Sequence, residues 1–369
     1  MSYLVLLVIV VLLYIMIGDK TILLRETSLL NKKKDITNLI VLLLAFVPMV
    51  LIAGFRSADI GTDTKTYITI YRDLYNYNGD LIKLINNTVQ YRKNPGWTIL
   101  FKFISDIFGD SPRVYILCSS LIIYLLFMIG LYFYHKNIKH GVIVFLLYFY
   151  LPSLNGMRIF IAFGFVFLGI VCKLNKKSLI SLLLIFIAFT IHKTAIIGFF
   201  IWIIMSVEWN ERRFLSYSTV GSVILLILLP LFIKYFANFF GDYSHYLTDK
   251  SSGFSVGGKS VVYQIFFISL LIYGWEVLKT YPAIDSNEKK YIYSLMVLNV
   301  TEIIIAFAGF QSWYLLRIKN YFAISSLLLL PTLSQYKVKH KNLLLFVGYA
   351  ILLFGFIYTI VGNYGNVLY

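Results

Sequence analysis

Charged side chains are scarce in this chain. Of its 369 residues, 14 % are charged and only 17 are acidic. A soluble domain averages about 25 % charged residues, whereas 59 % of this sequence is hydrophobic. Apolar runs of the length that spans a membrane as a helix recur from end to end. The scarcity of charge therefore excludes a separate soluble domain, and we predict a single integral membrane domain over residues 1–369.

Cysteines and clustered metal ligands are also rare. The two cysteines, Cys118 and Cys172, lie in apolar runs, which argues against a disulfide framework. The five histidines are scattered and no D-x-D motif occurs, so we predict no metal site and disfavour a nucleotide-sugar donor, which often needs a carboxylate-held cation. Residues 253–260 match G-x-x-x-x-G-K-S but lack the preceding strand of a nucleotide-binding loop. No cofactor is predicted.

The apolar runs predict helices, because the alternating pattern of barrel strands is absent. We expect an all-α polytopic membrane protein with about 12 transmembrane helices. Their expected bounds are 3–17, 38–55, 113–134, 141–154, 158–172, 178–191, 194–207, 217–239, 261–278, 291–308, 315–331 and 343–361. The spans 141–154, 178–191 and 194–207 are short, which indicates tilted, half-buried or broken helices.

Basic residues concentrate in alternate loops. The net charge of +16 is compatible with nucleic-acid binding, but 18 of the 33 basic residues lie in one set of loops, as in the cytoplasmic loops of membrane proteins. These are Lys20, Arg25, Lys32, Lys33, Lys34, Lys136, Lys139, Lys173, Lys176, Lys177, Arg212, Arg213, Lys279, Lys289, Lys290, Lys337, Lys339 and Lys341. Both termini and the segment 56–112 are then expected outside the cytoplasm, and no nucleic-acid partner is predicted.

The segment 56–112 is predicted to be one long outer loop containing short amphipathic helices. Thr62 or Asp63 is placed to cap a first helix, whose apolar positions are Tyr67, Ile70, Tyr71 and Leu74. A second helix is expected to begin at Asn94-Pro95, a capping residue followed by proline. Its expected apolar face is Trp97, Leu100, Phe101, Ile104 and Phe108. Such a short helix cannot span a bilayer, so we expect it to lie in the membrane interface.

Cations from four remote parts of the chain are expected at the outer membrane level. They are Arg56, Arg158, Lys193 and Arg317. Arginine presents a planar fork of donors that suits phosphate oxygens, so a pyrophosphate site would use residues of this kind. The alternative is that each cation reaches from a helix end to lipid head groups.

Three residues are candidate proton acceptors. His192 lies in a very short outer turn and is the first choice, because imidazole titrates near neutral pH; the alternative is a histidine that caps a helix. Asp63 is a second candidate, with helix capping as its alternative. Glu302 lies inside an apolar run, and carboxylates within the membrane are often functional; a structural partner of an arginine is the competing interpretation.

Six short motifs extend over almost the whole chain. They are G-F-R (54–56), G-T-D-T-x-x-Y (61–67), N-P-G-W (94–97), G-M-R-I-x-I-A (156–162), H-K-T-A (192–195) and R-I-x-x-Y-F (317–322). In this order they resemble the EpsG family of polysaccharide-export membrane proteins, which is similar in layout to Wzy-type polysaccharide polymerases. The family's frequent R-Q-G-I-A is R-I-F-I-A here, so no role of that glutamine or glycine is transferred.

The resemblance implies a polymerase of cell-surface polysaccharide (capsule, exopolysaccharide or O-antigen type) in the bacterial cytoplasmic membrane. It implies metal-independent transfer of glycan from an undecaprenyl-pyrophosphate-linked donor to an acceptor repeat unit at the outer leaflet. Arg158 and Arg317 are then expected to bind the pyrophosphate and stabilise the leaving charge, with Arg56 as a third cation or an anchor for Asp63. The expected substrate-binding residues are Arg56, Tyr67, Arg158, Lys193, Arg317 and Tyr321. Membrane lipid, a flippase and a chain-length regulator are the implied partners.

Other classes of protein remain open at this stage. A flippase or transporter of lipid-linked oligosaccharide would also need an arginine-lined cavity, although the internal repeats common in transporters are absent. A membrane acyltransferase would need a histidine on the cytoplasmic side, whereas His192 is expected outside. A non-catalytic subunit of an export complex is the third alternative.

Overall fold

In a computed structural model, residues 28–228, 231, 254–308 and 313–362 are described, and within them all regular structure is helical. The all-α prediction is therefore confirmed. The chain divides into two compact units, one comprising Met1–Phe199 and Tyr358–Tyr369 and the other Phe200–Ile357.

The helices are numbered here in chain order. They are α1 Ser28–Gly54, α2 Thr64–Asn76, α3 Leu81–Asn87, α4 Val89–Arg92, α5 Pro95–Phe108, α6 Pro112–Tyr134, α7 Ile138–Asn155, α8 Met157–Leu174, α9 Ser178–Ile191, α10 Ile197–Ile204, α11 Glu211–Ser216, α12 Phe254–Thr280, α13 Ser286–Ala308, α14 Trp313–Ala323, α15 Ser326–Leu333 and α16 Lys341–Gly362. The middle of α7 is a π-helical segment, Phe145–Tyr150.

Seven helices in the described part of the chain are long and apolar enough to cross a membrane. They correspond to predicted spans and run over Ile36–Gly54, Pro112–Tyr134, Ile138–Asn155, Met157–Leu174, Val262–Thr280, Ser286–Ala308 and Lys341–Val361. Two further apolar helices, α9 and Lys193–Ile204, are shorter, as expected for the predicted spans there. The predicted span 3–17 and most of 217–239 lie outside the described residues, so the total of about 12 spans stays a prediction.

The first unit is held together by close helix crossings. Helix α8 packs on α6 and α9, and α6 packs on α1. At Gly164 of α8 an added Cβ would lie 2.8 Å from the Cβ of Leu126, and at Gly130 of α6 it would lie 2.4 Å from the ring of Phe167. Small residues at such points let the backbones approach closely, which is how membrane helices commonly associate.

Helix α5 begins at Pro95 with Asn94 at the N-cap, as the sequence predicts. Its apolar residues Trp97, Phe101 and Ile104 are buried, and they face α2 and α6 rather than lipid. Of the other predicted apolar positions, Leu100 is half-buried and Phe108 is 61 % exposed, because the helix turns a second set of apolar side chains outward. That exposed set is Ile99, Phe103, Ile107 and Phe108.

In the second unit α13 packs on α12 and α14, and α12 packs on α15. The predicted span 315–331 is two helices, because α14 ends at Ala323 and α15 begins at Ser326. Residues 254–260 of the G-x-x-x-x-G-K-S match lie in the first turns of α12. They are helical and do not form a phosphate-binding loop.

Candidate functional site

Arg158 lies in an aromatic cradle at the start of α8. Its guanidinium carbon is 5.4 Å from the ring centroid of Tyr67 and 5.7 Å from that of Trp97. The side-chain amide of Asn94 accepts a hydrogen bond from Nη1 of Arg158 and donates one to the carbonyl of Ile191, both at 3.2 Å, in the amide orientation that satisfies both partners. Arg158 is half-buried, and its buried Nε has no hydrogen-bond partner among the described residues.

The charge of Arg158 is not neutralised within this cradle. Among the residues whose side chains are described, 36–89, 91–228, 262–308 and 317–361, no carboxylate forms an ion pair with it. Stacking on aromatic faces stabilises a guanidinium without neutralising its charge. The residual donors of Arg158 are therefore suited to an anionic ligand.

The N-P-G-W motif builds one side of the cradle. Pro95 starts α5, Asn94 holds Arg158, and Trp97 stacks on the guanidinium. Gly96 lies against α9, where an added Cβ would be 2.2 Å from Oγ1 of Thr190 and 3.1 Å from its carbonyl carbon. Only glycine fits that approach, so the motif couples α5 to the start of the turn that follows α9.

The contact at Gly96 makes a testable prediction. Gly96→Ala is expected to destabilise the protein by about 1–3 kcal/mol, because α5 must move away from α9. The matched control is Gly348→Ala in α16, where the new Cβ would come no closer than 3.2 Å to a neighbour. Thermal unfolding in detergent measures both variants, and equal melting temperatures for them would contradict the close contact.

Asn155 ties the G-T-D-T turn to the N-terminal end of α8. Its Oδ1 accepts from the backbone N–H of Asp63 at 3.0 Å and from the hydroxyl of Thr62 at 3.2 Å. The turn needs Gly61, whose φ of +94° belongs to the region that favours glycine. Asn155 was not singled out from the sequence, although its place just before G-M-R was a usable signal.

Asp63 occupies the N-cap position of α2, but its side chain makes no capping hydrogen bond. The predicted position is confirmed, and capping by the carboxylate is wrong, because Asp63 has helical torsions (φ −82°, ψ −16°) instead of the extended torsions of a usual N-cap. The half-buried carboxylate lies 3.5 Å from the hydroxyl of Thr62. Asp63 and Tyr67 are separated by one helical turn, with Cβ atoms about 6 Å apart. Asp63 therefore lies on the same side of α2 as Tyr67, whose ring centroid is 5.4 Å from the guanidinium carbon of Arg158.

His192 is buried and caps the 3-10 turn Lys193–Ile196. Its Nδ1 accepts from the backbone N–H of Thr194 at 3.4 Å and lies 2.6 Å from the hydroxyl of Thr194. When Nδ1 accepts, the neutral ring carries its proton on Nε2, which then donates and does not accept. The geometry favours the capping interpretation of His192. It adjoins Ile191, whose carbonyl bonds Asn94, so the turn is next to the cradle.

Arg56 is buried at the end of α1, where its guanidinium donates to two backbone carbonyls. Nη1 bonds the carbonyl of Ala53 and Nη2 that of Leu154, both at 2.7 Å, and Nη2 also lies 3.1 Å from the sulfur of Met157. Ala53 and Leu154 are in the last turns of α1 and α7, where carbonyls lack helical partners. Arg56 therefore fastens two helix ends beside the residue that begins α8.

The remaining predicted residues lie in the second unit, apart from the half-buried Lys193. Glu302 is fully buried in α13 and pairs with Lys319 of α14, with Nζ and Oε1 3.4 Å apart. The predicted partner was an arginine; lysine takes that place. Arg317 is half-buried within α14, and Tyr321 is buried on the next turn.

An aromatic cluster packs against the two rings of the cradle. Tyr67 and Trp97 each lie within 6.4 Å of the ring of Tyr115 by centroid distance. The hydroxyl of Tyr71 donates to the carbonyl of Gly109 at 2.6 Å, and burial raises the pKa of Tyr71 to about 12. Among residues 28–228, 254–308 and 313–362, no group of three histidine, cysteine or acidic side chains is placed to hold a metal ion.

Comparison with known proteins gives one match. A model of the EpsG family matches residues 39–369, which contain all six motifs and every residue of the cradle. Neither a curated protein nor a solved structure matches the chain.

Proposed function

The chain belongs to the EpsG family, and from that premise we propose how this polysaccharide-biosynthesis polymerase-type membrane protein works. We propose that it transfers glycan from an undecaprenyl-pyrophosphate-linked donor to an acceptor repeat unit at the outer leaflet of the bacterial cytoplasmic membrane. In each cycle the bond between the anomeric carbon and the lipid pyrophosphate breaks. A hydroxyl of the acceptor forms the new bond, its proton passes to a base, and lipid pyrophosphate leaves.

The observation that carries the proposal is the un-neutralised guanidinium of Arg158. Asn94 holds one of its nitrogens, and two aromatic rings lie within 6 Å of its guanidinium carbon, so the side chain is held in place with donors left over for a ligand. Such donors bind the leaving pyrophosphate more strongly as its charge develops, which lowers the barrier. Because the pyrophosphate already activates the donor, neither ATP nor a metal ion is required for the step we propose.

The other residues take roles around this centre. We assign to Asp63 the role of the base that accepts the proton of the acceptor hydroxyl. Its carboxylate does not cap the helix, and the residue lies one turn from Tyr67. His192 is better suited to hold the turn beside Asn94. Tyr67 remains our proposal for a contact to the sugar, whereas Trp97 is buried and only holds Arg158. Arg317 with Tyr321 remains our proposal for a second contact to pyrophosphate or sugar.

The orientation follows from the loop charges. We propose that both termini and the segment around Asp63 and Asn94 face outward, because basic residues favour the cytoplasmic side. Repeat units would then arrive from a flippase, and a chain-length regulator would limit the polymer.

The proposal is tested with purified protein in nanodiscs and synthetic lipid-linked repeat units. We expect the products to lengthen in steps of one repeat, without ATP and in the presence of a chelator. Protein carrying Arg158→Ala is the negative control. Substrate that crosses a vesicle bilayer without being extended would instead identify a transporter, and dependence on a divalent cation would contradict the metal-independent step.

A further inference from the structure

A buried ion pair joins two helices of the second unit. Glu302 of α13 has no exposed surface, and the side chain of Lys319 of α14 is 7 % exposed. Their charged atoms are 3.4 Å apart, and Nε2 of Gln264 from α12 also lies 3.4 Å from the same carboxylate oxygen. Three helices therefore meet at one carboxylate.

A second polar contact lies close by. Asn299 precedes Glu302 by one turn of α13, and its Oδ1 accepts from the hydroxyl of Ser325 at 2.6 Å. Ser325 follows the end of α14, so the two contacts hold α14 near its middle and just past its end. Two attachment points fix both the position of a helix and its rotation about its axis.

That rotation determines where Arg317 points. Residues two apart on a helix are about 200° apart around its axis, so fastening Lys319 inward turns Arg317 to the opposite side. Lys319 is buried and Arg317 is half-buried. Tyr321 follows Arg317 by one turn, shares its side of α14 and is buried, so that side also packs against protein.

We propose that Glu302 and Lys319 position Arg317 and take no proton in the reaction. The inference rests on the proposed function only in that Arg317 contacts the lipid-linked pyrophosphate. A lone charge in an apolar helix bundle is strongly unfavourable, whereas a bundle from which both charges are removed keeps its packing. Removing one partner should therefore displace α14, and removing both should restore it.

The first test compares three variants in nanodiscs: Glu302→Gln, Lys319→Met and the double variant. Each single change is expected to lower the rate of chain growth at least tenfold, and the double variant to recover to within about threefold of wild type. The temperature of thermal inactivation, measured without substrate, should show the same recovery. A double variant that is as inactive as Glu302→Gln, at normal melting temperature, would overturn the proposal and assign Glu302 to the chemistry.

The second test separates positioning from general stability. Arg317→Ala should cost little further rate in the Glu302→Gln background, because Arg317 is already displaced there, and its full cost should return in the double variant. Arg158→Ala, in the other unit, should cost the same factor in every background. Equal costs for Arg317→Ala in all backgrounds would overturn the positioning role. Wild-type protein that shows the stability coupling but never extends the lipid-linked unit would leave the ion pair in place and refute the polymerase.

Discussion

Replacing Arg158 by alanine is expected to lower the rate of chain growth by about 10³-fold at normal protein level. Losing one well-placed donor from a charge-stabilising site typically costs 10²–10³ in rate, and the free edge of this guanidinium offers more than one. The loss should appear mainly in kcat, because leaving-group charge is greatest in the transition state. Initial rates with synthetic lipid-linked units measure it.

Arg158→Lys should recover little of that loss. Lysine keeps the charge, but its single ammonium cannot contact both aromatic rings, donate to Asn94 and still present the several donors of a guanidinium to the ligand. The guanidinium geometry, and not charge alone, is therefore under test.

Arg113 provides a matched control. It also lies near the start of a helix of the first unit, with its guanidinium carbon 5.9 Å from the ring of Phe55, but it is exposed and away from Asn94. Arg113→Ala should grow chains at close to the wild-type rate. Wild-type polymer from both Arg158→Ala and Arg317→Ala would refute the pyrophosphate assignment, and equal losses at Arg113 and Arg158 would point to a general effect of surface charge.

The long apolar runs predicted the membrane-spanning helices, because a helix is the stable structure for such a run in a membrane. The start of α5 was also predictable, since Asn94-Pro95 is a local signal. The outward position of Phe108 was not, because every face of α5 is partly apolar and only its neighbours decide which one is buried. The break between α14 and α15 likewise depends on packing that a hydropathy pattern does not contain.

Some features of the candidate site were also predictable from the sequence, and others depend on the fold. Arg158 and Tyr67 are recognisable as residue types, and their motifs are far apart in sequence, so their stacking is visible only in the fold. Asn94 was expected to cap a helix and holds Arg158 instead, because two demands compete for one amide. His192 caps a turn and Asp63 does not, since capping depends on backbone torsions that sequence does not specify.

The proposed role of Asp63 as proton acceptor makes the second prediction. Asp63→Asn is expected to lower kcat about 10²-fold with little change in KM, because general-base catalysis contributes at least that much. The loss should be smaller than that for Arg158→Ala, since an acceptor hydroxyl can pass its proton to water after bond formation has begun. Asp63→Glu should recover part of the rate, as the longer side chain keeps the carboxylate.

Two further variants decide between Asp63 and His192. Asp59→Asn changes a carboxylate of the same turn that is exposed and paired with Lys65 at 2.9 Å, so its rate should stay near wild type. His192→Asn keeps a side-chain acceptor for the N–H of Thr194, and asparagine is among the best N-caps; it should retain polymerisation to within a few fold. If His192→Asn lowers the rate of chain growth by 10²-fold or more while Asp63→Asn stays active, His192 and not Asp63 is the base. If both variants lose rate alike, the loss does not identify Asp63 as the proton acceptor, and the assignment to Asp63 alone is refuted.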